Sequence, residues 1–363
     1  MCEIEMMKLI LFTDNLGSGG AQRQLVGLAD LLQRDGFEVV VALYQDAPFY
    51  KEYLDKRNIR NVVIKGAASK VQRIFRVASF FKKESPDFVI AYQETPSVIA
   101  CLTKLLGGHY EIIVSERSVT QKIKIKDRIR FNLYRLAHKI VPNSYSQSVF
   151  LSSRYKWMQK KLRTITNYVD LERFTYNEHV RNKIPSLLVV ATIWPPKNTL
   201  GFIEAMRVLA QKNLTFKVKW YGYSAAYDAY FKQAISRIEK YGLEPYIELL
   251  PKTNDIQDEY RHSDYFCLPS FYEGVPNVIA EAMATGRPIL CSNVCDNPRY
   301  VVEGVNGYLF DPNNPENMAE QILKGLSVSD QVYEQMCQES RKRAEEMLSM
   351  DTFINKYIEI IEG

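Results

Sequence analysis

The chain has 363 residues, 46% hydrophobic and 25% charged, an ordinary globular composition with length for two domains, each with its own core. No apolar run approaches the ~18 residues of a membrane-spanning helix, and the opening MCEIEMMKLILF is acidic and strand-like rather than a basic secretion signal. The net charge of +5 hides an asymmetry: residues 1–175 carry 28 Lys and Arg against 17 Asp and Glu, the remainder 19 against 25, so the halves are expected to meet different partners.

In chain order, strand-like runs fall at 8–13 (KLILFT), 38–44, 62–64, 88–92 (FVIAY), 111–115 and 139–143, with helical patterns at 21–34, 69–83, 95–106 and 124–138. The rhythm restarts after a polar linker at about 168–185. Strands are expected at 186–192 (SLLVVAT), 216–221, 246–250, 265–269 and 288–292, and helices at 198–211, 225–241, 276–285, 314–325, 330–347 and 350–362. Apolar strands alternating with helices predict α/β architecture, twice over: two doubly wound parallel sheets, with ligands expected in a cleft at the carboxyl ends of their strands. The six cysteines (Cys2, Cys101, Cys267, Cys291, Cys295, Cys337) are scattered and read as buried thiols of a cytosolic protein. Cys291 and Cys295 have neither a nearby histidine nor a second pair, so no metal site is expected.

Five strand ends carry candidate chemistry. The first is TDNLGSGGAQRQ (13–24), where Gly17, Gly19 and Gly20 either admit a phosphate or sugar to the backbone or simply make a tight turn; neither the dinucleotide spacing nor a P-loop lysine is present. In VVATIWPPKNTL (189–200), Lys197 stands where a helix begins and gains nothing from the helix dipole. A diphosphate would hold it there; a solvated lysine is the other reading. Gly222 in KWYGYS marks a close approach, and LLPKTND (249–255) is plausible as a wall for a base. The richest stretch is EGVPNVIAEAMATG (273–286): Glu273 before a helix, Pro276 at its entry, Asn277 as a cap candidate and Glu281 one turn in. Amides of a helix start donate to a phosphate, and carboxylates accept from sugar hydroxyls.

These elements together resemble the retaining glycosyltransferases of family 4, which have the twin-Rossmann GT-B fold. Glu273 to Glu281 is the E-x7-E element, followed by RPIL and VNGYLFDP (305–312); ITNYVDLERF (165–174) looks like the family linker and GGAQRQ like its glycine loop. The resemblance implies an acceptor domain at 1–170, onto which the helix at 350–363 packs back, and a nucleotide-sugar domain at 171–349. It implies that Lys197 binds the donor diphosphate, Glu273 holds the sugar, Glu281 the ribose, and the backbone of Gly274, Val275, Pro276, Asn277 and Val278 the phosphates. Gly222 would contribute on the donor side, and Gly19 and Gly20 would line the cleft from the other side. The chain departs from the family at Thr192, where relatives carry an arginine, and at Cys295, Asp296 and Arg299, where glycines and an acid are usual. Arg299 either replaces the lost charge or faces solvent. Relatives also carry a histidine near VSERSVT (114–120); here Glu116 and Arg117 are the nearest polar candidates, with a plain ion pair between them as the other reading.

The expected reaction is a metal-independent, retaining transfer from a nucleotide-diphosphate sugar, a UDP or GDP sugar first, since the chain has no DxD motif. No cofactor is expected. Basic, apolar-striped segments at 70–83 and 121–139 suit an anionic membrane surface, or else core-facing helices with solvated basic backs. The first reading favours a saccharide acceptor carried on a lipid, as in envelope polysaccharide assembly, and a peripheral location at the inner membrane face; nucleic acid is not expected. A sugar-nucleotide 2-epimerase of similar fold and a non-catalytic sugar-nucleotide binder are the competing readings.

Overall fold

The computed structural model describes residues 6–66, 69–120, 122–253 and 255–363; Cys2, Gln121 in the second basic segment and Asn254 in the LLPKTND turn lie outside them. The chain divides into two units, one running to Asn167 and completed by Met350–Gly363, the other Tyr168–Ser349.

The first unit runs β1 (Lys8–Thr13), α1 (Gly20–Arg34), β2 (Glu38–Leu43), α2 (Lys51–Asp55), β3 (Arg60–Val63) and α3 (Lys70–Glu84). It continues with β4 (Phe88–Tyr92), α4 (Glu94–Leu105), β5 (Glu111–Glu116), α5 (Ile125–Leu133), β6 (Lys139–Pro142) and α6 (Tyr145–Arg154). All neighbours pair in parallel, in the order β3-β2-β1-β4-β5-β6. Leu9–Phe12 and Val89–Ala91 are fully buried, which is why these strands read as unbroken apolar runs.

The second unit runs β7 (Ser186–Val190), α7 (Thr199–Gln211), β8 (Lys217–Tyr223), α8 (Asp228–Tyr241), β9 (Ile247–Pro251), α9 (Ile256–His262) and β10 (Tyr265–Leu268). Then come α10 (Asn277–Ala284), β11 (Ile289–Ser292), α11 (Asn297–Tyr300), β12 (Gly307–Phe310), α12 (Pro315–Leu326) and α13 (Asp330–Leu348). Its sheet order, β12-β11-β10-β7-β8-β9, repeats the first. In each sheet the winding reverses between the first and fourth strands, β1/β4 and β7/β10, and loops leaving those strands open a crevice there.

The connection at 168–185 has no helix or strand. Fully buried Asp264 anchors it, accepting from His179 Nε2 (2.8 Å) and the backbone N–H groups of Asn182 (2.9 Å) and Ser186 (2.7 Å). The last helix, α14 (Met350–Glu362), belongs to the first unit, burying Phe353, Tyr357, Ile360 and Ile361; the hydroxyls of Tyr357 and Tyr92 lie 3.1 Å apart.

Two expectations need correction, and one left open is divided. The helix expected at 124–138 ends at Leu133 and tightens into one 3-10 turn, Tyr134–Leu136. The apolar stripe of α3 splits: Val77 and Phe81 are buried and Ile74 half-buried, whereas Val71 and Phe75 are 62% and 58% exposed. Of the described cysteines four are buried, but Cys295 is exposed.

Candidate functional site

The site in the second unit is built on the β7/β10 switch point. After β7 the chain makes one 3-10 turn, Pro195–Lys197, with Trp194 extended before it and Asn198 left-handed after it (φ 56°). Two prolines fix φ through the turn, so Lys197 ends it rather than opening α7, which starts at Thr199. Asn198 donates to Pro312 O at 2.7 Å, and the Phe271 N–H reaches Pro196 O at 3.0 Å, tying the loop after β7 to the loop after β10. Across this junction the Lys197 ammonium pairs with the Glu273 carboxylate. What holds Lys197 in place is therefore a carboxylate of the same site. Both side chains are largely shielded, 22% and 10% exposed, which strengthens the pair over a surface one.

Beyond Glu273 the chain enters α10. Pro276, not Asn277, occupies the cap position (φ −71°), and no side chain caps the helix there. Asn277 is the first helical residue, so its role as cap is corrected. Gly274, Val275, Pro276, Asn277 and Val278 thus form an entry whose amides and dipole favour an anion. Glu281, one turn in, is 4% exposed and accepts from the Tyr260 hydroxyl of α9 at 3.0 Å.

Gly222 has a packing reason of its own. Its φ is 155°, and a Cβ there would stand 1.8 Å from Ala191 O, because β8 continues alongside the chain leaving β7 through Ile193 N–H to Gly222 O (3.0 Å). Arg299 is exposed on α11, and its carbonyl accepts from Arg343 at 2.9 Å. Thr192 is half-buried, and Cys295 has the left-handed φ of 50° that favours glycine. Reading the sequence missed the contact of Trp194 with Tyr227, with ring centroids 5.2 Å apart and ring planes tilted by 36°. The two residues are 33 positions apart, and only the pairing of β7 with β8 brings them together.

The first unit gathers a second set of groups at its own switch point. Gly19 precedes α1 with an ordinary φ of −78°, and Gly20 begins the helix; a Cβ on Gly19 would meet only the far end of the Gln22 side chain, at 2.3 Å, which can swing aside, so neither backbone angle nor space demands glycine at 19. Glu116 and Arg117 do not pair with each other. Glu116 is 1% exposed, accepts from the Tyr134 hydroxyl and lies 3.7 Å from buried Arg130; burial pushes its carboxyl above the usual range, against the pull of Arg130 and Tyr134. Arg117 lies over the Tyr92 ring (4.9 Å to its centroid) and donates to Asn167 at 2.5 Å. Gln93, whose N–H donates to Ser115 O of β5 at 3.0 Å, holds the cap position of α4 with φ 74° and ψ 171°, a region almost reserved for glycine that costs about 1–3 kcal/mol and gathers at functional sites.

Two doubly wound parallel sheets of matching order, one carrying a lysine–carboxylate pair at an uncapped helix start, define the GT-B class of glycosyltransferases. Residues 184–327 match the family model described as glycosyl transferases group 1, and residues 18–173 that described as Glycosyltransferase Family 4. The chain belongs to this family of glycosyltransferases. It is 25% identical over 333 residues to the Escherichia coli UDP-Gal:alpha-D-GlcNAc-diphosphoundecaprenol alpha-1,3-galactosyltransferase, covering 84% of each chain. It is 25% identical over 288 residues, 77% of each, to a Campylobacter jejuni alpha-1,4-N-acetyl-D-galactosaminyltransferase acting on a GalNAc-containing diphospho-undecaprenol saccharide. Anabaena Alr3699/HepE, solved with UDP and glucose, superposes with a TM-score of 0.83 at 20% identity over 98% of this chain and 99% of that one.

Proposed function

We propose that the chain transfers a sugar, with retention and without a metal, from a nucleotide-diphosphate sugar, a UDP sugar first, to a saccharide carried on a lipid diphosphate during bacterial envelope polysaccharide assembly. The observation that carries this reading is the Lys197–Glu273 pair beside the start of α10, whose cap position is a proline. A donor diphosphate draws the Lys197 ammonium toward itself and accepts from the α10 entry. Glu273, released from its pair, accepts hydroxyls of the transferred sugar, and Glu281 those of the ribose. As the glycosidic bond breaks, charge develops on the leaving phosphate, which Lys197 and the helix start stabilise, each such group by about 3–4 kcal/mol. With no protein nucleophile assigned, the leaving phosphate takes the acceptor's proton on the same face. The lipid-linked relatives support the choice of acceptor. They fit a peripheral role at a membrane surface, and among the described residues no helix is long and apolar enough to cross a membrane.

The test is nucleotide release from a panel of UDP, GDP and ADP sugars. Turnover is expected to fall about 10²–10³-fold in Lys197→Ala, and at least as far in Glu273→Ala, with UDP still bound by the latter. Unchanged turnover in both would refute the assignment. Tight sugar-nucleotide binding without turnover in the parent chain would favour the non-catalytic binder, and interconverted sugar nucleotides the epimerase.

A further inference from the structure

The far end of α10 carries more positive charge than a helix end needs. Its last carbonyls are closed by the backbone turn: Thr285 N–H donates to Glu281 O (3.1 Å), Gly286 N–H, at φ 75°, to Met283 O (2.9 Å), and Arg287 N–H to Ala282 O (2.8 Å). Two guanidiniums are added to that closure. Arg287 is fully buried and gives its side-chain nitrogens to carbonyls: Nε and Nη2 to Thr285 O (3.2 and 3.0 Å), Nη1 to Ser263 O (3.2 Å) and Nη2 to Asn177 O (3.1 Å). Arg341 donates to Ala284 O at 2.7 Å and to Phe174 O at 3.0 Å. Arg341 shares its charge with the Glu345 carboxylate (2.6 Å), whereas no carboxylate pairs with Arg287 among the described residues. A buried cation without a counter-ion is costly, and the glycine turn already ends the helix without one.

The opposite end of α10 is short of positive charge. Glu273 and Glu281 stand there against one ammonium, Lys197, which is already paired with Glu273. A diphosphate arriving at the entry meets a local excess of negative charge. The helix spans ~12 Å, and Ile279 to Ala284 are buried, so a charge at its carbonyl end is felt at its entry with little water between. We infer that Arg287 is a positioning residue for the diphosphate, acting through α10: it cancels the negative pole of the helix, leaves net positive charge behind it, and offsets the carboxylates around the entry. Arg287 itself touches no ligand. This role rests on the reading of the α10 start as the diphosphate site, and it makes affinity grade with the charge of the ligand.

The test is the affinity of the full chain for uridine, UMP and UDP, a ladder of rising negative charge, in the parent, Arg287→Gln and Arg287→Lys, each checked first by melting. Arg287→Gln keeps a donor for the carbonyls and drops the charge; Arg287→Lys keeps the charge on fewer donors. In Arg287→Gln, uridine should bind within about twofold of the parent, UMP about threefold more weakly and UDP about tenfold or more. Arg287→Lys should hold UDP to within about threefold of the parent. Equal losses for all three ligands, a UDP loss as large in Arg287→Lys as in Arg287→Gln, or unchanged UDP affinity in Arg287→Gln overturns the inference. Should both variants fail to fold, Arg341→Gln decides, with the same graded order at smaller size expected and a flat or absent loss overturning it. A parent chain that binds no UDP removes the diphosphate site and this role together; a parent that binds UDP with a flat ladder in the variants removes this role alone.

Discussion

A single glycine shows how much the donor-side loops depend on backbone contact. Gly222 lets β8 lie against Ala191 O, so Gly222→Ala must move backbone rather than a flexible side chain. We expect it to cost at least ~3 kcal/mol and to lower the melting temperature of the second unit by roughly 6–12 °C. Gly242→Ala, at φ 63° with nothing within 4 Å of the added carbon, should cost only about 1 kcal/mol. Calorimetric melting of the two variants checks the contrast. Asp264 makes a second prediction. Burial pushes its carboxyl upward, but the bonds from His179, Asn182 and Ser186 outweigh that and leave it below the usual carboxylate range. A folded-state value below the unfolded one means stability present above about pH 4 and lost as pH falls through the folded value. Asp264→Asn should start about 2 kcal/mol less stable and lose less on acidification, as urea titrations at pH 6 and pH 3.5 would show. At this scale the sequence marked Lys197, Glu273 and Glu281 by their positions at strand and helix ends. It could not pair Lys197 with Glu273, because 76 residues and a strand crossing separate them. Nor could it mark Gln93: strain belongs to φ and ψ, and nothing in the name of a glutamine announces it.

Among the elements, the long apolar strands and amphipathic helices were legible because burial on both faces, or on one stripe, leaves a period in the sequence. KLILFT and FVIAY match β1 and β4 end for end. What escaped were pieces too short to show a period: β12 within the VNGYLFDP motif, and α2, α6, α9 and α11. The stripe on α3, left open between core and surface by the sequence, divides at Val71 and Phe75, since a 3.6-residue period cannot separate a core-facing apolar residue from one a turn away on the outer edge. That residue pair gains a use from its exposure. Val71 and Phe75 on α3 and Ile125 and Ile129 on α5 (79% and 59% exposed) stand among exposed lysines and arginines. Such a surface suits anionic lipid, at about 1 kcal/mol per nearby charge. Flotation with phosphatidylglycerol vesicles should therefore recover the protein at low salt and less of it at high salt. Changing Lys122, Lys124 and Lys126 together to Gln should weaken binding by about two orders of magnitude. Equal recovery on neutral phosphatidylcholine vesicles would argue against it.

Over the whole molecule, the same sheet order built twice explains why a reading by alternation worked: one rule, applied to each half, places every switch-point loop. The second unit is continuous in sequence, whereas the first is finished by α14. Deleting residues 350–363 should expose the surface that Phe353, Tyr357, Ile360 and Ile361 cover and remove the hydroxyl contact beneath Tyr92. We expect the truncated chain to lose the cooperative melting of the first unit while the second unit melts as before, a separation visible by calorimetry.

The closing helix also sets a timetable. A ribosome adding ~5–20 residues per second needs roughly 10–40 s to make the stretch Tyr168–Ser349. For all that time the first-made half waits with a greasy flank uncovered, while the later half has everything it needs to fold. Residues made after the second unit, not those made before it, decide when the first unit is complete, so a nascent chain halted before α14 emerges is the form most in need of a chaperone.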